Sequence, residues 1–490
     1  MKVLLVSFFN DEAYGVRVIH SNLIKNNIDS YMLFFKLPNG TDKISSKKEF
    51  IGNCINVSDV EIDILASHIK NNKYNVVGFS LVSQNFNLYK KIYNKIKEIK
   101  DLIVVIGGWQ VSLNPDKCID YADFLCIGEG EIPMTELIVE LGKKKLAQNI
   151  KNIWTKNNNM VFKNQVRNLE KNISSFPSPV FENKYSYVIE NNEIKNEEPY
   201  FFNSRYGTFI NRGCPYKCTY CSNSYMADNI YPHQWSRIRQ RDTDHVKKEL
   251  ILMKEKLIYV KSVNFYDEVF NPSVEWIKDF FSWYKKEINI PFYVFFYPGI
   301  CSEEKARVLS ENGLKGVWLG IQSGSKRVRE KVFKRFYTNE CVINQANIFH
   351  KFGVNVKYDF ILDNPFETFE ESLESIHLML QLPQPFSLNL FSLKYFPNTE
   401  ITKMAKDCGF ISNLNVDDNN EKDQDTYAIH QDRGGNDDEF INHLAFYISN
   451  LSNGQITERK KNEIFELINC YRVSKNLQPI RDLVKVCFST

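Results

Sequence analysis

Asn211-Arg212-Gly213-Cys214-Pro215-Tyr216-Lys217-Cys218-Thr219-Tyr220-Cys221 places three cysteines in one short loop, with three and then two residues between neighbours. A loop this tight is poorly suited to a disulfide framework. Three thiolates also leave one position of a metal centre without a protein ligand. Iron–sulfur clusters are held by cysteine thiolates, usually four, and a cubane held by three keeps one iron open to an outside ligand. A structural zinc site asks for four ligands in paired C-x-x-C groups, and no second pair lies nearby. The spacing favours an iron–sulfur cluster, with zinc or chance clustering among 11 cysteines as the alternatives.

Outward from this loop, strand-length and helix-length patterns alternate in both directions. Upstream, Val3–Phe9, Ser30–Phe35, Val76–Leu81, Ile103–Ile106 and Phe124–Ile127 are short apolar runs, several apolar throughout. Helix-length stretches such as Val16–Lys25, Asp59–Ile69, Asn87–Ile99 and Ile132–Leu141 separate them. Alternating strand and helix predicts a parallel sheet covered on both faces, a flavodoxin-like or Rossmann-like domain over residues 1–147. Such sheets bind ligands beyond the carboxyl ends of their strands. Glycines gather there, at Gly15, Gly107, Gly108, Gly128 and Gly130, where they permit close backbone approach.

Residues 148–203, rich in Asn, Lys, Glu and Ser, read as an extended connector. Downstream, Phe209-Ile210 precedes the cysteines as a strand, followed by Ser262–Phe265, Phe292–Tyr297, Gly316–Ile321, Val354–Leu362 and Ser387–Leu393. Helical patterns lie between them at Val246–Lys256, Val274–Lys285, Ser302–Glu311, Ser325–Val332 and Phe369–Leu380. Six strands with intervening helices predict a partial β/α barrel over residues 204–400, with its chemistry at the C-terminal strand ends. Residues 401–490 begin with a polar tract, Asn413–Asp425, too polar to build a core and expected to be mobile. Helical patterns follow at Phe440–Leu451 and Lys461–Val473.

At 490 residues the chain is too long for one ordinary core. Hydrophobic content of 43% and charged content of 25% are those of a globular protein. A net charge of +3 gives no support for a nucleic-acid or acidic-membrane partner. No apolar run approaches the ~20 residues of a membrane helix. The first strand is followed at once by Asp11 and Glu12, unlike a signal peptide. The other cysteines are scattered, which suits a reducing, cytoplasmic compartment.

With Arg212-Gly213 before the first cysteine, Pro215 after it and Tyr220 before the last, the loop resembles that of the radical S-adenosylmethionine superfamily. More narrowly, it resembles the subgroup with an N-terminal cobalamin-binding domain. The resemblance spans roughly Met1 to Glu400. It implies a 4Fe-4S cluster on Cys214, Cys218 and Cys221 whose open iron chelates S-adenosylmethionine. One electron then yields a 5′-deoxyadenosyl radical, the cofactors carrying the hard chemistry. A one-electron reductant such as flavodoxin or ferredoxin and oxygen-free working conditions come with that expectation.

The resemblance also assigns site residues. Of the acid pair Asp267-Glu268 after the second barrel strand, Asp267 is the better match for the amino group of S-adenosylmethionine, a charge-assisted contact. Gln322 and Ser323, within Gly320-Ile321-Gln322-Ser323-Gly324-Ser325, match the segment that meets the ribose or carboxylate, and Tyr220 packs near the cofactor. Gly15, Ser80, Gly107, Gly108, Gly128 and Glu129 match positions around cobalamin.

Two departures stand out. The Asp-x-His-x-x-Gly motif that offers a histidine to cobalt is absent, and His20 lies inside the next helix. After the fifth barrel strand, Asp363 or Asn364, and Phe366, stand where the family has glycine. The basic run Arg327, Arg329, Lys331, Lys334, Arg335 reads as a solvated helix face. Arg237 and Arg239 read as surface arginines or as carboxylate partners.

The implied activity is a cobalamin-dependent C-methyltransferase acting on an unactivated carbon of a peptide or small natural product. The alternative is a radical cyclisation, rearrangement or oxidation without methyl transfer. A corrinoid-binding or iron–sulfur sensing protein without turnover is the reading from another class.

Overall fold

The computed structural model describes residues 1–38, 57–143, 149–157, 160–411, 435–452, 454 and 456–489. The polar tract expected to be mobile, Asn413–Asp425, lies outside the described residues.

Strands β1 (Lys2–Phe8), β2 (Asp29–Phe35), β3 (Val76–Ser80), β4 (Ile103–Gly107) and β5 (Phe124–Cys126) run parallel in the order β5-β4-β3-β1-β2. This is the flavodoxin-like order, and the crevice where it reverses lies between β1 and β3. Alternate side chains go to opposite faces. Val3, Leu5, Phe34 and Val76 pack on one side, and Leu4, Val6, Leu33 and Val77 on the other. Burial on both faces is why these strands are mostly apolar. Helices Tyr14–Lys25, Asp59–Asn71, Phe86–Ile96 and Glu131–Gly142 connect them.

The connector expected over residues 148–203 instead enlarges this sheet. Strand β6 (Ile153–Asn157) pairs antiparallel with β5 and carries β7 (Met160–Lys163) beside it. On the opposite edge, β8 (Ser186–Glu190) pairs parallel with β2 and antiparallel with β9 (Glu193–Lys195). These edge strands bury only a few side chains, such as Ile153, Thr155, Val188 and Ile189. Their polar composition belongs to the solvated side, which is how composition alone conceals them.

Glu198 anchors the end of this segment. Its carboxylate accepts two hydrogen bonds from Arg17, at 2.6 and 3.0 Å, one from Ser186 Oγ at 2.8 Å and one from the Tyr200 N–H at 3.0 Å. Both side chains of the ion pair are fully buried.

The second sheet is parallel throughout and follows chain order. It comprises β10 (Arg205–Thr208), β13 (Ser262–Phe265), β14 (Phe292–Phe296), β15 (Leu314–Gln322), β16 (Asn355–Leu362) and β17 (Ser387–Ser392). The first and last strands do not pair, leaving a partial barrel. Strand β10 ends at Thr208, just short of the expected Phe209-Ile210. Between β10 and β13 a small antiparallel hairpin joins β11 (Asn211–Arg212) to β12 (Arg239–Gln240) around the cysteine loop. Helix Asn339–Lys351, which the sequence reading did not identify, lies between β15 and β16. Its Asn, Gln and His residues dilute the apolar period, and Val342, Ala346 and Phe349 form the buried stripe.

Helices Asn436–Leu451, Glu458–Ser474 and Gln478–Ser489 close the chain. Their Phe440, Leu444, Ile448, Ile464 and Ile468 belong to the same apolar core as the barrel. No helix among the described residues is long and apolar enough to cross a membrane.

The N-terminal domain contacts the barrel at several separate points. Glu12 accepts a hydrogen bond from Arg205 Nε at 2.9 Å, and Tyr14 Oη donates to Glu249 at 2.8 Å. Asn398 donates to the Leu113 carbonyl at 2.7 Å. Replacing Glu198 with Ala leaves Arg17 as a buried, unpaired charge, with an expected loss of about 3–5 kcal/mol of unfolding free energy. Denaturant unfolding reads it, and a loss below about 1 kcal/mol contradicts the assignment of this segment to the sheet.

Candidate active site at the domain junction

The cysteine loop is fixed by backbone contacts before any metal enters. Gly213 has φ +106°, and a Cβ there would lie 2.7 Å from the carbonyl oxygens of both Trp235 and Arg237. Only glycine combines that dihedral with that approach. Downstream, Thr219 donates through its N–H to the Phe333 carbonyl at 3.3 Å and through Oγ1 to Val332 at 2.6 Å. Ser224 Oγ donates to the Cys218 carbonyl at 2.7 Å.

Cys218 is buried, and Cys214 and Cys221 are partly open. Burial pushes the Cys214 thiol up to about 12 and the Cys221 thiol up to about 11, and the neighbouring cysteines push in the same direction. A cationic centre reverses that preference, because coordination deprotonates a thiol. Among the described residues, no three His, Cys, Asp or Glu side chains converge on a single ion. A cubane spreads its thiolates over separate irons, so three cysteines on one ordered loop fit it better than they fit zinc.

A cation is already built in beside the loop. Arg335, 6% exposed, donates to Cys218 Sγ at 3.5 Å, to Tyr220 Oη at 3.2 Å and to the Gly320 carbonyl at 2.6 Å. Its guanidinium lies 4.3 Å from the Tyr297 ring centre, and Tyr297 stacks at 3.7 Å on Tyr216 of the loop. Arg329 is buried too and donates to the carbonyls of Ser323 and Gly324. The basic run is therefore a solvated face only in part: Arg327, Lys331 and Lys334 are exposed, with Arg327 paired to Glu371 and Lys334 to Glu400, whereas Arg329 and Arg335 are buried.

The residues expected around S-adenosylmethionine separate into two groups. Tyr220 stays at the loop, edge-on to Phe333 at 5.0 Å. Gln322 ends β15 at a register shift with φ +74°, a dihedral rare outside glycine, and its Nε2 would lie 2.9 Å from a Cβ on Gly320. Strain of this kind gathers at functional sites.

Asp267 and Ser323 are committed elsewhere. The Asp267 carboxylate accepts from the N–H groups of Ile210 and Asn211, at 3.1 and 2.5 Å, and so fixes the approach to the cysteines. Burial pushes it up to about 7 against those bonds. Ser323 is fully buried; its Oγ donates to Glu367 at 2.9 Å and accepts from the Ser325 N–H at 3.1 Å. The open member of the acid pair is Glu268, which is exposed and feels the charges of Arg212 and of the cysteines. Both acids lie just past the end of β13, where the fold buries Asp267 and leaves Glu268 exposed. Asp363 adopts φ +52° where the family has glycine and is held by Ser392 and, at 2.7 Å, by Asn442. Aspartate tolerates that region, so the substitution keeps the backbone turn.

On the N-terminal side, Ser80 is exposed at the end of β3, and a Cβ on Gly15 would meet nothing within 4 Å. Both border the crevice between β1 and β3, so open space exists where a bulky ligand would lie. Gly107 and Gly108 serve close packing. A Cβ would lie 3.3 Å from the Cys126 carbonyl at Gly107 and 2.6 Å from the Leu81 carbonyl at Gly108. The strand-end loops thus fold flat, and Trp109 beside them remains 37% exposed, edge-on to Trp235 at 6.2 Å. Gln110 Nε2 is buried there without a partner. These features fit a corrinoid seat. His20 is fully buried, with Nδ1 3.0 Å from Ser30 Oγ, and offers nothing to a cobalt.

Gly128 and Glu129 face the other domain. Tyr231 lies so close that a Cβ on Gly128 would overlap its hydroxyl. The Glu129 carboxylate accepts from Arg239 at 2.6 and 3.0 Å and pairs with Arg212 at 3.3 Å. Arg212 also reaches Glu131 at 2.7 Å. Glu129 is therefore an interdomain tie, and Arg239 is its partner, not a surface arginine. Its carboxyl is held below the ordinary value: burial raises it, and the two guanidinium groups outweigh burial.

Comparison with known proteins follows this geometry. Residues 208–379 match the Radical SAM superfamily and residues 50–138 match the B12 binding domain. An uncharacterized methyltransferase of Pyrococcus horikoshii is 26% identical over 358 residues, 71% of this chain and 72% of that protein. An uncharacterized protein of Methanocaldococcus jannaschii is 24% identical over 355 residues, 63% of this chain and 65% of its own length. Among solved structures, the methyltransferase TsrM from Kitasatospora setae, with cobalamin and a 4Fe-4S cluster bound, superposes with a TM-score of 0.62 at 17% identity, covering 84% of this chain and 76% of that one. The cobalamin-dependent enzyme OxsB, with aqua-cobalamin and S-adenosylmethionine bound, gives 0.66 at 14% identity, covering 96% and 71%. These structural likenesses concern the fold.

Two outcomes follow from the site. In the reconstituted protein, Arg335→Met removes a donor to Cys218 while leaving three thiolates, so iron content stays unchanged. The reduction potential falls by about 60 mV or more, the one-electron equivalent of a tenfold change; an unmoved potential in a spectroelectrochemical titration counts against the contact. Glu129→Gln leaves two arginines short of their anion and costs about 3 kcal/mol near neutral pH. Because the folded carboxyl sits below its ordinary 4.5, the folded state binds fewer protons. The difference between wild type and variant is full above that pH and shrinks as acid is added. A difference that stays constant down to acid unfolding contradicts the pairing.

Proposed function

We propose that this chain, which belongs to the radical S-adenosylmethionine enzymes that carry an N-terminal B12-binding domain, is a C-methyltransferase acting on an unactivated carbon of a peptide or small natural product. One observation carries the reading. The hairpin that presents the cysteines, through Arg212 and Arg239, is bonded to the strand-end loop of the N-terminal sheet through Glu129. We infer from this tie that the thiolates and the β1/β3 crevice open onto one shared space. The methyltransferase name of the Pyrococcus relative points the same way.

When bound, the cluster with S-adenosylmethionine supplies a hydrogen-abstracting radical, and the corrinoid supplies a methyl group. The chain's own residues hold and orient. Cys214, Cys218 and Cys221 are the cluster ligands, and Arg335 offsets their negative charge in a buried setting where such contacts are strong. Glu268 accepts the ammonium of the cofactor, with Gln322 and Tyr220 lining its seat. Gly15, Ser80, Gly107 and Gly108 shape the corrinoid seat. Glu129 and Gly128 keep the two seats in register. A flavodoxin or ferredoxin is the electron source, and an oxygen-free, reducing cytoplasm is the setting that suits these thiols.

The test is anaerobic reconstitution with iron, sulfide and cobalamin, followed by reduction with methyl-labelled S-adenosylmethionine and a substrate library. The proposal predicts bound iron and cobalt, 5′-deoxyadenosine, and label in a carbon-bound product methyl. Glu268→Gln lowers 5′-deoxyadenosine formation at least tenfold with iron content unchanged. Turnover to 5′-deoxyadenosine with no label in product would instead favour cyclisation, rearrangement or oxidation.

A further inference from the structure

The inner wall of the partial barrel carries side chains that the cofactor seats do not use. Along each strand, side chains facing the helices are buried in the main core, among them Phe292, Val294, Val317, Leu319, Val356 and Tyr358. The alternate positions face inward and stay partly open. In register across three neighbouring strands, Phe295, Trp318 and Lys357 form one row, and Tyr266, just past the end of β13, extends it. Tyr266 is 39% exposed and lies 5.8 Å from Phe295. Phe295 and Trp318 stack at 4.6 Å with their planes 10° apart. A continuous aromatic face held open inside a barrel is not core packing, because none of the three joins an apolar cluster among the described residues.

Lys357 ends this row beside Trp318. Among the described residues no carboxylate lies within ion-pair distance of its ammonium, and burial holds that ammonium below its ordinary value, with Asp359 partly opposing. Asp359, one step nearer the mouth, is itself engaged by Asn389 at 2.7 Å. Next to Asp359, β15 places Gly320, and the Gln322 amide and Arg335 guanidinium fill the space over it. The wall therefore offers a flat apolar surface ending in a desolvated cation, below the end of the strands where the cysteines stand.

We propose that this row is the substrate seat and that it takes a flat aromatic molecule bearing a carboxylate, the ring lying on Phe295 and Trp318 and the acid on Lys357. The inference rests on the proposed function, because it assigns the substrate of that same site. Aromatic stacking contributes about 0.5–1.5 kcal/mol beyond burial. A charge-assisted bond is roughly twice as strong as a neutral one, so Lys357 decides between acid and neutral molecules of equal shape.

The experiment uses reconstituted full-length protein and three probes of one ring system: 2-naphthoate, 2-naphthalenemethanol and 2-naphthylmethylamine, titrated calorimetrically. The acid is expected to bind at least tenfold tighter than the alcohol, and the amine weakest. Lys357→Met reduces the acid's advantage to under twofold and leaves the alcohol unchanged, Lys357→Arg restores it, and Trp318→Ala weakens the acid and the alcohol at least tenfold. Equal binding of the three probes, tightest binding of the amine, or indifference to both substitutions overturns the seat. Reductive formation of 5′-deoxyadenosine, measured on the same preparation, keeps the two proposals apart. A normal yield with no probe preference overturns this inference alone, and a preference without that yield overturns the function and leaves the seat standing.

Discussion

Glu129 lies between two arginines of the hairpin that carries the cysteine loop, and the rest of the junction depends on that cluster of charge. A carboxylate taken this far out of water is held only by good geometry and full hydrogen bonding. Arg239 supplies two bonds and Arg212 bridges from Glu129 to Glu131. Because Arg212 is two residues before Cys214, the position of the first thiolate relative to the N-terminal sheet is set by these ions and not by a flexible linker. Glu12 with Arg205, at the start of β10, and Asn398 with Leu113 hold further parts of the junction.

The loop itself is shaped from beneath. Asp267 caps the backbone entering it, Gly213 makes the turn no other residue fits, and Thr219 ties its far end to Val332 and Phe333. Arg335 then brings a buried cation to Cys218 through a column of rings, Tyr297 on Tyr216. A preorganised charge of this sort needs no rearrangement when anionic sulfur is present. Segments far apart in the chain, at 210–224, 267 and 335, thus converge on one polar centre inside an apolar barrel.

The cysteine loop and the five inner strands of the first sheet were legible because their signals are local. Spacing in one case and burial on both faces in the other leave a mark within ten residues. The edge strands β6 to β9 were not legible, since half of each faces water and their Asn and Lys read as a connector. Charged residues misled for a related reason. Arg329 and Arg335 look like a solvated run until the fold buries them among carbonyls and rings, and Asp267 and Glu268, adjacent just past β13, differ in that the fold buries the first and exposes the second. Glu129 matched a ligand position by its place after β5, whereas its partners lie more than eighty residues away in sequence. Asp363 shows the converse: an aspartate takes a positive-φ turn that glycine adopts most readily.

The central claim is that the thiolates and the β1/β3 crevice share one space. Electron paramagnetic resonance of the anaerobically loaded protein, with the cluster reduced and the corrinoid as cobalt(II), tests it most directly. The account predicts that each signal is broadened or split by the other, and that the effect vanishes when either cofactor is omitted. Two unperturbed signals that simply add would contradict it, placing the paramagnets in separate sites and leaving the Glu129 contact as packing alone.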